Sequence, residues 1–437
     1  DSIKVKGEAV AFSGAKVGGA KVSYRVVRQK FNSYNYFRSY SSNSFVQISE
    51  GNTVTGSDGG FTIPFKAIPD ESSSDNEKST FNYTITADVT DINGETKSVT
   101  TTVKIGYAAL GIELTVPSVV NVLESKPFQV FTKNMAGQNI PTNVNLKIVK
   151  LKEPDKLFKD RLWRTPDLFM TSKEVHDKLF LNDLYNMEND LTTFRTASTV
   201  SNSKIQTGQT NVIKIKNIKS WKNGRYKITA TAIDENGVMV EESRFLTVFN
   251  PKVKTAPIHT YSWFYLDKKT AKVGEEVILY LSTASKDATV FYELEKNGQV
   301  LSTEKIVLSN QLHEIKIKVT ERMLGGVNLK VFLIKNNRIH EFSSGISIPY
   351  DHKKLDVSFS TFRSKLYPGQ KEQWTVKIKG SKGEKIAAEL LAGMYDASLD
   401  EFVVNNWNLD LYRNSVQAKG WDLHYGFSQQ NGITSNN

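Results

Sequence analysis

Apolar and polar residues alternate one for one along most of this chain. Trp374, Val376 and Ile378 interleave with Thr375, Lys377 and Lys379. Phe81, Tyr83, Ile85, Ala87 and Val89 follow the same rule upstream, as does the run 226–233. A period of two sends successive side chains to opposite faces of an extended strand, so each run predicts a strand with one buried and one wet face. Between the runs stand residues that suit turns: Asn93-Gly94, Glu235-Asn236-Gly237, Asn297-Gly298, Pro368-Gly369 and Lys382-Gly383. The stretch 386–394 departs from alternation by being nearly all apolar, which suits a strand inside a sandwich core or a short buried helix. The pattern as a whole predicts an all-β protein.

The plan restarts along the chain, with launches near Gly7, Ser125, Gly274 and Gly369. Their spacing is close to ~100 residues, the size of an immunoglobulin-like sandwich, except where the second unit is lengthened. Tandem sandwiches are therefore expected over 1–107, 108–250, 256–353 and 355–437, the last incomplete, with the proline-flanked stretch 250–257 as a linker. In the first unit, the runs on either side of Gly14 and Gly18-Gly19 read as a hairpin. In the second, 128–130 and 144–151 read as partner strands, and in the third, 277–281 and 289–294 do. Alternation fails over 152–201, where Pro154 and Pro166 interrupt it and Thr171-Ser172-Lys173-Glu174 offers a capping box before a helical stretch ending near Phe180. This is a partly helical insertion, expected to lie against its own sandwich with Leu162, Trp163 and Phe169 inward. The aromatic stretch 31–40 reads as a ligand-stacking loop or as a hairpin extension packed on its own sheet.

Composition narrows the chemistry. The chain has 437 residues and no cysteine, which excludes disulfides, thiolate zinc sites, cysteine nucleophiles and an internal thioester within this span. No apolar run approaches the ~20 residues of a helical membrane span. The opening DSIKVKGE lacks the apolar core of a signal peptide, so the protein is either cytosolic or an internal piece of a longer precursor, and the second fits better because the chain begins inside a strand-like pattern. A net charge of +11 raises the question of nucleic acid. The lysines of IKIKNIK, EIKIKVTE and TVKIKG, however, occupy the solvent face of alternating strands, where they hinder edge-to-edge association. Attraction to an acidic envelope surface is the better reading of that charge.

No nucleophile-elbow, zincin, Walker or dinucleotide glycine pattern is present. His176, His259, His313, His340, His352 and His424 are scattered without metal-ligand spacing. The carboxylate pairs Glu241-Glu242, Glu275-Glu276 and Asp400-Glu401 would be the acid and base of an enzyme. Neighbours on a strand point to opposite faces, so these read as solvated side chains. No catalytic, cofactor-binding or metal-ligating residue is expected, and no cofactor.

The order Tyr367-Pro368-Gly369-Gln370, alternating strand, Lys382-Gly383 turn, then AELLAGMYDASLDEF at 388–402, resembles the sixth macroglobulin-like domain of bacterial alpha-2-macroglobulin family proteins, above all the large cell-envelope members of Bacteroidetes. Ala87-Asp88-Val89-Thr90-Asp91 followed by Asn93-Gly94-Glu95-Thr96 resembles the close of the third such domain. KVGEE at 272–276 with FYELEKNG at 291–298 resembles the fifth, and 157–180 resembles an insertion of the same proteins. The resemblance implies that all four units are macroglobulin-like sandwiches from the scaffold of a larger exported protein. That protein would sit in the periplasm or be anchored to the outer membrane through a lipid outside this chain. It further implies endopeptidase inhibition by trapping: a protease partner cuts a bait segment, and strain held with the other domains of the same protein is released. The family's bait lies in the sixth domain, which makes Tyr412, Arg413 and Lys419 candidate cleavage positions in the Asn- and Gln-rich tail. Alternatively, Trp407, Leu409, Leu411, Trp421 and Phe427 bury that tail as a connecting strand and loop. The other functional class is a structural or adhesive array of sandwiches presenting loops such as 31–40 to a glycan or partner protein.

Overall fold

The computed structural model describes residues 2–11, 14–31, 45–69, 80–124, 126–161, 164–361, 363, 365–380, 388–404, 406 and 411–412. Strands account for 52% and helix for 6%, so the fold is all-β, as alternation predicts. The chain divides into two compact units, 1–152 with 194–249 and 153–193 with 250–437. The aromatic stretch 32–40 and the polar loop 72–78 lie outside the described residues.

The first unit opens with β1 (Ser2–Glu8), β2 (Lys21–Phe31), β3 (Phe45–Val54), β4 (Gly60–Lys66), β5 (Thr80–Thr90) and β6 (Thr96–Gly106). β1 pairs with β4, and the others form a sheet in the order β3-β2-β5-β6. Their apolar faces share a core of Val22, Val26, Ile63, Phe65, Phe81 and Ile85. The β5-β6 hairpin runs in register from Thr80–Gly106 to Thr90–Thr96. Its turn is fixed by Asp91, whose carboxylate accepts the backbone N–H groups of Asn93 and Glu95, both at 2.9 Å.

The same unit continues with β7 (Leu110–Thr115), β8 (Val119–Asn121), β9 (Phe128–Asn134), β10 (Asn143–Leu151), β11 (Thr196–Gln206), β12 (Val212–Ile213), β13 (Gly224–Ile233) and β14 (Met239–Phe249). A five-stranded sheet, β11-β10-β13-β14-β8, accompanies a three-stranded one, β12-β9-β7. Phe128, Val130, Leu146, Ile148, Tyr226 and Ile228 belong to one core. Tyr226 stacks on Trp221 at 5.1 Å and donates its hydroxyl hydrogen to the Lys222 carbonyl at 2.7 Å. Burial pushes its phenol up to about 12.

In the second unit, β15 (Trp263–Leu266), β16 (Glu276–Thr283), β17 (Ala288–Lys296), β18 (Gln299–Leu308), β19 (Gln311–Lys318), β20 (Val327–Lys335) and β21 (Arg338–Ile346) form the sheets β15-β16-β19 and β18-β17-β20-β21. Val277, Leu279, Leu281, Val290, Leu329 and Val331 fill the core between them. On the opposite face of the four-stranded sheet, Lys330 Nζ lies 3.2 Å from the Glu295 carboxylate. Both residues are buried, at 9% and 1% exposure.

Three expected strand pairings fail in the same way. β1 and β2, β9 and β10, and β16 and β17 each stand in different sheets; between β1 and β2 a single bridge, Val10 to Lys16, remains. Alternation states which face a side chain takes, not which strand lies beside it, and each of these links crosses from one sheet to the other. The insertion also differs from expectation. Residues 153–193 group with 250–437 rather than with the sandwich they interrupt, and β11 begins at Thr196. Helix α1 (Lys173–Leu179) forms where the capping box predicts, with the Ser172 hydroxyl accepting the Val175 N–H at 3.4 Å, but it buries no residue. It is held locally: Phe169 stacks on Tyr185 at 4.6 Å, His176 meets Tyr185 at 5.2 Å, and Lys173 reaches Glu188 at 2.5 Å. Phe169 is therefore half-exposed, and Leu162 and Trp163 lie outside the described residues.

Two measurements test this packing. Lys330→Met should destabilise the chain by about 3 kcal/mol, because it removes the ammonium group beside the buried Glu295 carboxylate, and Lys330→Met with Glu295→Met should recover most of that loss in urea unfolding. Burial pushes the Tyr226 phenol up to about 12 in the folded protein, against 10.0 for an ordinary tyrosine. Between those values the unfolded chain has lost the proton that the native chain keeps, so stability present below pH 10 is lost as pH rises toward 12. In Tyr226→Phe the melting temperature should fall less steeply over that window.

Candidate functional site

The four-stranded and three-stranded sheets of 263–348 complete a sandwich, whereas the described residues of 355–412 form none. β22 (Leu355–Thr361) and β23 (Thr375–Gly380) pair antiparallel, with Val357 opposite Ile378 and Phe359 opposite Val376. Among the described residues no further strand joins them. Leu355, Val357 and Phe359 recur every second residue and stay about half exposed, and Phe359 meets Trp374 edge to face at 6.1 Å. The link between the strands makes the turn the sequence predicts. Gln370 N–H donates to the Tyr367 carbonyl at 3.0 Å, the Gln370 side chain accepts the Tyr367 N–H at 3.0 Å, and Gly369 takes φ +76°. Pro at the second and Gly at the third position supply the fixed and the positive φ of a type II turn.

Beyond β23, residues 388–396 carry neither the strand nor the helix expected for 386–394. They have no regular structure, with Leu391 80% and Met394 73% exposed. An all-apolar strand needs cover on both faces, and the described part of this region supplies a single two-stranded sheet. The signal that pattern reading passes over is at Asp396, whose short acidic side chain is a cap residue. It accepts the Ser398 N–H at 3.0 Å and starts a 3-10 helix over Ala397–Glu401. Those hydrogen bonds hold the Asp396 carboxyl below its ordinary range. Tyr395 donates to Asp400 at 2.7 Å, which raises the phenol. Phe402, Val403 and Val404 come next, all exposed.

Of the candidate cleavage positions, Tyr412 is half-exposed with its ring 5.2 Å from Tyr350; Arg413 and Lys419 lie outside the described residues. Of the five apolar residues that would bury the tail, Leu411 alone is described, and it is exposed at 69%. One member of each carboxylate pair has a local partner. Glu242 pairs with Arg244 and Glu275 with Lys268 at 2.9 Å, while Asp400 takes the Tyr395 hydroxyl. His340 stacks on Tyr261 at 5.6 Å with Asp160 at 4.0 Å, and burial lowers its pKa; burial lowers that of His313 as well. Among the described residues, no three His, Asp or Glu side chains gather as metal ligands. What the described residues of 388–404 offer is backbone outside any strand pairing on either side of the 3-10 helix, bearing large apolar side chains in water.

The family model of the alpha-2-macroglobulin bait region domain matches residues 263–399, from the first residue of β15 into the 3-10 helix. Among curated proteins none matches the chain. Similar solved structures include the native conformation of Escherichia coli alpha-2-macroglobulin, at 11% identity and a TM-score of 0.30 over 87% of this chain and 24% of that one. The trypsin-activated Escherichia coli protein gives 12%, 0.32, 87% and 25%. The Salmonella protein reacted with methylamine gives 13%, 0.30, 87% and 24%. This chain thus spans about a quarter of their length.

The turn offers a clean test of the local geometry. A Cβ at Gly369 would meet nothing within 4 Å, so Gly369→Ala should cost about 1 kcal/mol through backbone strain alone. Faster amide exchange confined to β22 and β23, with the sandwich of β15–β21 unchanged, is the expected reading.

Proposed function

We propose, from the premise that residues 263–399 match the alpha-2-macroglobulin bait region domain, that this chain is the bait-bearing part of the scaffold of a bacterial alpha-2-macroglobulin-like protein. Its role in that reading is endopeptidase inhibition by trapping, not catalysis. The units 1–107, 108–250, 256–353 and 355–437 are its macroglobulin-like domains. The partner is a protease, the other contacts are to further domains of the same larger protein, and the location is the bacterial cell envelope.

The observation that carries this reading is that the family match over 263–399 ends in an exposed apolar stretch, 388–396, which lies outside any helix or strand. A protease needs several residues of extended backbone, and such segments concentrate where local structure is least stable. The same exposure supplies a driving force after cutting. Leu390, Leu391, Met394, Phe402 and Val403 are held in water, and each would gain roughly 1.5–3 kcal/mol on full burial. A cut that frees the segment lets those side chains find cover, and the sandwiches move with it. Chymotrypsin-like enzymes would take Leu391, Met394, Tyr395, Phe402 or Tyr412; trypsin-like ones would take Arg413 or Lys419.

Limited digestion read by mass spectrometry tests it. First cuts by chymotrypsin within 388–412 and by trypsin at Arg413 or Lys419, followed in the full-length protein by compaction in small-angle scattering, are the expected result. First cuts in 67–80 or 152–201 with the tail intact would remove the bait assignment. Cuts in the tail without a change of shape would remove the trap.

A further inference from the structure

The face of the five-stranded sheet that points away from its core carries a charge arrangement that folding does not require. Lys204 of β11 lies opposite Asn145 of β10, and Lys147 of β10 lies between Asn202 of β11 and Thr229 of β13. Lys227 of β13 lies opposite Val149 of β10. Each lysine is thus one strand over and two residues along from the last, a straight diagonal with steps of about 8 Å and a span of about 16 Å. The three line a concavity of about 500 Å³, together with the amides of Asn145 and Asn202 and the hydroxyls of Thr229 and Thr231. Glu241, opposite Thr231, closes one side.

Edge protection accounts for Lys204 alone, because β10 and β13 are interior strands. Nor are these lysines neutralised. Lys133, Lys268 and Lys316 have carboxylate partners, whereas among the described residues these three make no ion pair. Three like charges gathered on one concave face repel one another, and an anionic ligand relieves that repulsion.

We propose that this face binds an acidic polysaccharide. The backbone groups of interior strands are spent in the ladder, so recognition comes from side chains only, and an extended peptide would have no sheet edge to join here. A nucleic acid duplex is held by neutralising roughly 6–10 phosphates, more than this face can meet. Amides and hydroxyls interleaved with ammonium groups instead match a chain of sugar hydroxyls with carboxylates or sulfates at intervals. Phe245, half-buried and the cross-strand partner of Lys227, offers an apolar surface for a sugar ring at the end of the diagonal.

The test uses the full 437-residue chain at low ionic strength, with calorimetric titration of polygalacturonate, heparin, neutral dextran and polyglutamate. Binding of polygalacturonate or heparin, but not dextran, is expected. Lys147→Gln, Lys204→Gln and Lys227→Gln together should weaken it about tenfold or more, with the gap narrowing as salt screens it. The charge-matched control Lys97→Gln, Lys133→Gln and Lys316→Gln should stay within about twofold. Asn145→Ala with Asn202→Ala, which leaves the charge alone, should weaken the polysaccharide about fivefold by removing hydrogen bonds. Melting curves matching the parent keep each variant interpretable. Equal loss in the control triple, equal or tighter binding of polyglutamate, or no polysaccharide binding would each overturn the proposal.

Discussion

A sheet with one apolar face has to set that face against a second apolar surface, and the rest of this protein depends on that requirement. Each described core is the product of two sheets meeting it together: Phe65 of β4 with Phe81 of β5, Phe128 of β9 with Ile148 of β10, Leu279 of β16 with Val331 of β20. The requirement also explains the connections. A chain that leaves one sheet and crosses to the other brings two apolar faces together within a few residues, whereas a hairpin extends a face that still lacks cover. The region after Lys354 is where the requirement goes unmet among the described residues. Leu355, Val357 and Phe359 alternate as faithfully as any core strand yet remain about half exposed, and the apolar run behind them is exposed further. The same physics that makes the sandwiches stable leaves these apolar side chains in water where no second sheet meets them among the described residues.

Two polar groups within the folded units are fixed by protein partners. Burial works against the Asp234 carboxylate, yet the N–H groups of Ala109, Asn236 and Val238, at 2.8 to 2.9 Å, hold its pKa below the ordinary value. One side chain thereby closes the β13-β14 turn and ties it to the residue just before β7. The Lys330–Glu295 pair plays a different part. Buried ion pairs contribute little net stability against an apolar alternative, but they tolerate no partial replacement, which fixes β17 and β20 in one register.

Charge on the outer faces divides along the same lines. Several surface lysines stand beside a carboxylate, as Lys268 does with Glu275 and Lys272 with Asp351. Among the described residues the diagonal of Lys204, Lys147 and Lys227 makes no ion pair, although it arises from the same alternation that builds the core beneath it. A pattern that fills one face with Leu146, Ile148 and Ile228 leaves the opposite face free to vary, and here that freedom concentrates positive charge.

The sequence by itself determined where most of the alternating strands and their turns fall. The clean alternation of Phe81 to Val89, the Asp91–Glu95 turn, the β13-β14 hairpin and the Ser172 cap all depend on interactions within a few residues, which local pattern expresses directly. It also held the type II turn at Pro368-Gly369, since that geometry belongs to the two residues themselves. Only the tertiary structure decided which strands pair, because faces are set by alternation but neighbours are set by how links such as 135–142 and 284–287 cross between sheets. It decided too that 153–193 belongs with the second unit, since α1 buries nothing that a pattern could announce. And it decided that Leu390, Leu391 and Met394 stay in water: an apolar run states a demand for cover, and whether cover is there depends on what other parts of the chain bring to it.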